Sequence, residues 1–205
     1  MEVKEKILKG AAELFIRDGV RKVTMDQLAS SLGISKRTIY ENFRDKEDLI
    51  RNFLTKVINE HKSGLVKIIN SSDNVIEALF RFGIYNRDSI AGTNPQFFED
   101  LKKYYADMFE AIKKSEKIGN GEVSYLILKR GVNEGTFVKT IDIDLVNTFI
   151  HVVMNYFFNL TREDCTPPQK IWSSIFLPYI KGICTEKGLE YLSDFLSKNQ
   201  NFSEA

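Results

Sequence analysis

This 205-residue sequence predicts an all-α fold, on three observations. Apolar residues recur at three- and four-residue spacing along most of the chain. Helix-start signals repeat along the chain, a Ser, Thr, Asp or Asn that is in several places followed by Glu, Gln or Pro. The period-two alternation of a half-buried strand is nearly absent. Composition narrows the class further. With 43% hydrophobic residues, 28% charged residues and net charge +1, the chain holds enough apolar surface to fold. Charged residues interrupt the apolar runs well short of the roughly 18 residues that a bilayer span needs. The opening MEVKEKILKG mixes both charge signs and lacks the apolar centre of a signal peptide. Two cysteines, Cys165 and Cys184, suit a reduced, cytoplasmic setting.

The first helix is expected over Val3 to Asp18, with Ile7, Leu8, Ala11, Leu14 and Phe15 on one face and Gly19 as its stop. Thr24 with Gln27 forms a capping box, so a short second helix starts at Met25 and ends by Gly33. Ser35 caps a third, about Lys36 to Asn42. Asp45 caps a long fourth, whose buried side carries Leu49, Ile50, Phe53, Leu54, Val57, Ile58, Leu65 and Ile69. Asn74 with Glu77 opens a fifth, and Asn94-Pro95 a sixth. Gly119-Asn120-Gly121 is expected to break the pattern before a seventh helix that Gly135 stops. Asp142 or Asp144 opens an eighth, Thr166-Pro167-Pro168-Gln169 a ninth, and a short tenth covers about Leu189 to Leu196. The tail from Asn199 to Ala205 is expected to fray.

Residues 24–44, TMDQLASSLGISKRTIYENFR, carry the chemistry. Leu28, Leu32, Ile34 and Ile39 form a shared seam between two short helices. Ala29 stands where the backbones approach most closely, and Gly33 where the turn needs a positive φ. Ala, Gly and Ile at these intervals are the signature of a helix-turn-helix. The outer side of the second helix then presents Lys36, Arg37, Thr38, Tyr40 and Arg44, suited to phosphates and major-groove edges. A helical hairpin with a merely solvated basic face is the plainer alternative. Residues 1–46 hold ten basic and seven acidic side chains, a mild +3 against −2 for the remainder.

The run LGISKRTIYENFRDKEDLI, with the preceding VTMDQLASS, resembles the TetR family of bacterial transcriptional regulators. Detailed likeness covers about residues 5–55. Asn42 is a departure, standing where the family commonly has His. The resemblance implies residues 1–46 as a three-helix DNA-binding domain and 47–205 as a helical ligand-binding and dimerisation domain. It further implies that Thr24 and Tyr40 bond phosphates and that Lys36, Arg37 and Thr38 lie nearest the bases, with Ser35 at the head of that helix. Lys46 would hold phosphate at the start of the fourth helix. The expected function is a ligand-responsive transcriptional regulator, a repressor in the family's commoner role, binding a palindromic operator in double-stranded DNA as a homodimer.

One module of this size buries only about 600–1,000 Å² against DNA, so two copies are expected. The eighth and ninth helices are apolar over a wide arc, and Phe149, Val153, Tyr156, Phe157, Trp172, Ile175, Phe176 and Tyr179 are expected at a four-helix dimer interface. A deep monomeric core is the alternative. Eight aromatics lie between residues 80 and 109. Phe82, Tyr85, Phe98, Tyr105 and Phe109, with His61, are candidates to line a pocket for a small apolar or amphipathic effector, or else are plain core. No phosphate-cradling glycine loop, metal-ligand spacing or cofactor motif appears. A DNA-bound adaptor that senses no ligand, and more remotely a helical enzyme, are the competing readings.

Overall fold

The computed structural model describes residues 2–90, 92–163 and 168–199, leaving the side chains at 90, 116–118, 154–163 and 168–169 outside that description. Its helices are α1 (Val3–Asp18), α2 (Met25–Leu32), α3 (Lys36–Asn42), α4 (Lys46–Ser71), α5 (Val75–Ile90), α6 (Pro95–Tyr104), α7 (Ala106–Asn133) and α8 (Ile143–Glu163). Then α9 (Pro168–Ile171) runs without a break through a π-helical turn, Trp172–Phe176, into α10 (Leu177–Ile183), and α11 (Glu186–Lys198) follows. The one strand-like pairing among the described residues is an isolated bridge between Phe137 and Cys184. The tail beyond Asn199 and the cap at Thr166-Pro167 lie outside the described residues.

The chain forms two compact units. The first takes residues 1–64 and 86–118, the second 65–85 and 119–205. The core of the first unit joins α1, α2, α3, the first half of α4 and the 97–108 region through Ile7, Phe15, Leu28, Ile39, Phe43, Leu49, Phe53 and Leu101. Phe53 bridges Phe15 and Phe97 by edge-on contacts at 5.8 and 6.0 Å. In the second unit, Leu65, Ile76, Phe80, Ile127, Phe137, Ile180 and Leu192 are buried together. There Phe80 meets Trp172 edge-on at 4.9 Å and Phe195 at 4.3 Å.

One expected break moves. Gly119-Asn120-Gly121 lies inside α7, and the interruption falls instead at Tyr105, whose φ of −140° and ψ of 49° end α6. Glycine costs a helix interior roughly 1 kcal/mol relative to Ala, little enough for packing to override. Here Asn147 Nδ2 donates to the Gly121 carbonyl at 3.0 Å and ties that stretch to α8. The last helix is longer than expected because Thr185 caps it, its hydroxyl accepting from Gly188 N at 3.2 Å. Asp142 opens α8, accepting from Leu145 N at 3.0 Å.

Glycine matters most at Gly33, which ends α2 with φ 62° and ψ 35°. Gly33→Ala forces a side chain into the left-handed region and should destabilise the first unit by about 1–2 kcal/mol, measured by urea denaturation. An unchanged midpoint would show that the turn tolerates a Cβ.

Candidate nucleic-acid interface

The two-helix unit is pinned at each end by local chemistry. Thr24 Oγ1 accepts from Gln27 N at 3.2 Å while Gln27 Oε1 accepts from Thr24 N at 2.8 Å, closing the capping box. At the turn, Ile34 N donates to Ala29 O at 3.1 Å. Ser35 Oγ accepts from Thr38 N at 3.0 Å and opens α3. Leu28, Ala29 and Ile39 are buried along the seam, with Leu32 and Ile34 partly buried beside them. Both helices are short, eight and seven residues, so these caps and the buried seam hold them, helix propensity alone being insufficient.

The outer face of α3 is open. Arg37 is 88% exposed and pairs with Glu41 at 3.0 Å within the same helix. Lys36 reaches Asp26 of α2 at 2.9 Å, and both partners are well exposed. That hydrogen bond raises the Lys36 ammonium pKa above its ordinary value. Such pairs lie in water and are weak, so a phosphate or a guanine edge can replace the carboxylate. Tyr40 is exposed, and Thr38 Oγ1 lies 2.8 Å from Ser35 Oγ. Asn42 turns back on its own helix, donating to Thr38 O at 2.8 Å.

Lys46 differs from these. Its ammonium donates to the Arg21 carbonyl at 3.2 Å. Burial lowers its pKa, and the nearby Asp100 carboxylate partly offsets that. Asp100 belongs to α6 and is almost fully buried. Its Oδ2 accepts from Arg21 N at 2.7 Å and its Oδ1 from Gln96 Nε2 at 2.7 Å. Gly19 makes this approach possible, because at φ 85° a Cβ there would lie 2.9 Å from Asp100 Oδ2. Asn94, the N-cap of α6, completes the docking. Its backbone N donates to Ile16 O at 3.0 Å and its Nδ2 to Arg17 O at 2.8 Å, satisfying carbonyls at the end of α1. The sequence alone assigns Asp100 no role, since its partner Arg21 lies 79 residues away.

The expected effector residues fall into two sets. Phe98, Tyr105 and Phe109 pack, partly buried, against the core of the first unit. Phe82 and Tyr85 pack against the core of the second. His61 is partly buried on α4, and burial lowers its pKa despite a hydrogen bond with Asn86. The Tyr105 hydroxyl pKa is raised, first by burial and then by the carboxylates of Glu47, Asp100 and Asp45. Among the expected interface residues, Phe149 is exposed with its ring 4.9 Å from that of Tyr179. Val153, Trp172, Ile175 and Tyr179 are partly buried and Phe176 is buried. The side chains of Tyr156 and Phe157 lie outside the described residues.

A Ser-His contact in the second unit needs its protons counted. Ser124 Oγ lies 2.7 Å from His151 Nε2 and 2.5 Å from Asn147 Oδ1. Because Asn147 Nδ2 already donates to Gly121 O, its Oδ1 must be the atom facing Ser124. The hydroxyl also donates toward the Asn120 and Gly121 carbonyls of its own helix, at 2.8 and 3.2 Å, so three oxygens surround its one proton. Ser124 thereby ties α7 to Asn147 and His151 of α8.

A capped helical pair with an open donor face, held on a docked three-helix scaffold, defines a helix-turn-helix DNA-binding transcriptional regulator. Residues 7–52 match the family described as "Bacterial regulatory proteins, tetR family". The HTH-type transcriptional repressor KstR2 of Mycolicibacterium smegmatis is 24% identical, covering 72% of this chain and 73% of that one. An HTH-type transcriptional regulator of Staphylococcus aureus is 29% identical over 54% of this chain and 69% of its own. The ketosteroid transcriptional regulator KstR2 of Mycobacterium tuberculosis shares the fold with TM-score 0.53 at 22% identity, covering 90% and 96% of the two chains. A regulator from Saccharomonospora viridis, solved in complex with choline, does so with TM-score 0.60 at 18% identity, covering 96% of each. These relatives are transcriptional regulators, not enzymes. Among the described residues no helix is long and apolar enough to cross a membrane.

Two measurements check this geometry. Asp100→Ala strands the Arg21 N–H and should cost the first unit about 1–3 kcal/mol on urea denaturation, with weaker binding to every duplex tested. His61, with its pKa lowered, favours the folded state above pH about 6.5 and loses that contribution as pH falls through its folded pKa. His61→Gln should therefore flatten the acid side of the stability profile.

Proposed function

We propose that this chain is a cytoplasmic repressor that binds a palindromic operator as a homodimer and leaves it when a small apolar or amphipathic effector binds. The open, donor-bearing face of α3 carries this reading. Residues 1–46 act as the DNA-binding part and residues 47–205 as the ligand-binding and dimerisation part. Arg37, Lys36 and Thr38, with Ser35 at the head of α3, meet base edges. Thr24, Tyr40 and Lys46 meet phosphates.

Duplication is supported by α8. Leu145 is 68% exposed, Phe149 43% and Val152 63%, three large apolar side chains at helical spacing on one face. An apolar stripe of this kind is costly in water and fits a second copy of the same helix. The apolar character of the effector is supported by relatives, among them the ketosteroid regulator and a fatty acid degradation regulator, FadR, from Bacillus halodurans, with TM-score 0.58 at 18% identity. An effector that prefers one arrangement of the dimer shifts the population and changes the separation of the two α3 helices. Half-sites one turn apart, about 34–36 Å, are then no longer matched. A coupling of about 1–3 kcal/mol changes operator affinity roughly 5–150-fold.

The decisive experiment is binding of the purified protein to the DNA flanking its own gene, with and without candidate apolar ligands. Sequence-specific binding that a ligand weakens is expected, and ligand-independent binding would favour an adaptor. Sedimentation should give a dimer at micromolar concentration. Arg37→Ala should relax base preference by about 1–3 kcal/mol, whereas Tyr40→Phe and Lys46→Ala should weaken all sequences alike. Equal losses across all three variants would contradict this division of roles.

A further inference from the structure

The turn between α1 and α2 carries cations that no described carboxylate neutralises. Arg21 lays its guanidinium over the Tyr104 ring, 4.8 Å from the centroid, and one of its terminal nitrogens hydrogen-bonds the Tyr104 hydroxyl. Lys103 holds its ammonium 5.4 Å from the centroid of the same ring. Two positive groups therefore share one aromatic ring, with Tyr104 itself 41% exposed. The one carboxylate built into this corner, Asp100, is buried and already spent on Arg21 N and Gln96. Asp18 pairs with Arg17, Glu47 with Arg51, and Asp45 accepts from Asp48 N.

Packing alone does not account for this arrangement. A lysine in the last turn of α6 is favoured by the helix dipole, which explains Lys103 by itself. It leaves the arginine unexplained. A guanidinium has five N–H donors, and apart from the bond to Tyr104 none of those of Arg21 has a described partner. A planar guanidinium stacked on an aromatic ring presents its edge outward, the geometry that grips phosphate oxygens. The site also adjoins the expected phosphate contacts: Lys46 bonds the carbonyl of Arg21 itself, and Thr24 lies three residues on.

We infer that Arg21, Lys103 and Tyr104 form a phosphodiester-binding site, extending the DNA contact beyond the helix-turn-helix onto the end of α6. The site rests on the DNA-binding reading above. It reads no bases, so it adds affinity and register without sequence preference.

The test measures anisotropy of a labelled duplex from the DNA flanking the gene, and of a scrambled duplex, across a salt series with the full chain. The Arg21→Ala/Lys103→Ala variant should bind both duplexes about five- to tenfold more weakly near 0.1 M salt. Its slope of log affinity against log salt should be shallower by about 0.9 for each phosphate it no longer neutralises. Arg21→Lys should recover part of the affinity, and Lys103→Glu alone should exceed Lys103→Ala in its effect. A charge-matched control, Lys129→Ala/Lys139→Ala, should leave the slope unchanged. Thermal midpoints matching the parent protein separate this effect from unfolding. A slope equal to the parent's, with the parent binding normally, overturns the site alone. A parent protein that binds neither duplex overturns the DNA-binding reading and this site with it. Weaker tripolyphosphate binding with unchanged duplex binding also overturns it, marking a small-anion site instead.

Discussion

The placement of the helix-turn-helix depends on one buried carboxylate. Asp100 is buried against the turn between α1 and α2, accepting from the Arg21 amide and drawing Lys46 toward it. A buried carboxylate is tolerable only when its oxygens are hydrogen-bonded, and here both are. Gly19 is the condition for that contact, since any side chain there would collide with the carboxylate. Asn94 adds two donors to the end of α1. The first turn and a half of α6 thus does for α1 what a dedicated cap would do. It places the start of α2, and with it α3.

Two kinds of polar contact divide the labour around α3. Those that fix shape are caps and buried hydrogen bonds: the box at Thr24 and Gln27, the serine cap at Ser35, and the docked Asp100. Their groups have few alternatives and hold the backbone still. Those on the outer face, Lys36 with Asp26 and Arg37 with Glu41, are exposed and exchangeable. A helix of seven residues can therefore be rigid in position while its side chains stay free to repartner.

The helix-turn-helix was legible in the sequence because every interaction that makes it is local. Thr24 to Gln27, Gly33, Ser35 and the Leu28–Ile39 seam all fall within sixteen residues, where spacing and residue type determine geometry. What the sequence concealed is long-range. Gly119-Asn120-Gly121 has the composition of a break, yet contacts with Asn147 and His151 on α8 keep α7 continuous. The stop at Tyr105 carries no glycine or proline to mark it. His151 had no assignable role until Ser124 and Asn147 stood beside it. Asp100 carries no local signal, because its partner Arg21 lies 79 residues away. The aromatic stretch 80–109, a candidate pocket lining or else plain core, divides between two cores, because sequence proximity says nothing about which core a ring joins.

The paired charges on α3 also bear on how this protein answers to ionic strength. A bare cation arriving at DNA displaces a condensed counterion and gains the mixing entropy of its release. Lys36 and Arg37 are already accompanied, by Asp26 and Glu41. In the proposed complex, turning to the duplex would mean abandoning an internal anion, and two carboxylates would be left to recruit ions from solution. Part of the released salt is thereby taken up again, so the number of phosphates inferred from the salt response would fall short of the number of cations that touch DNA.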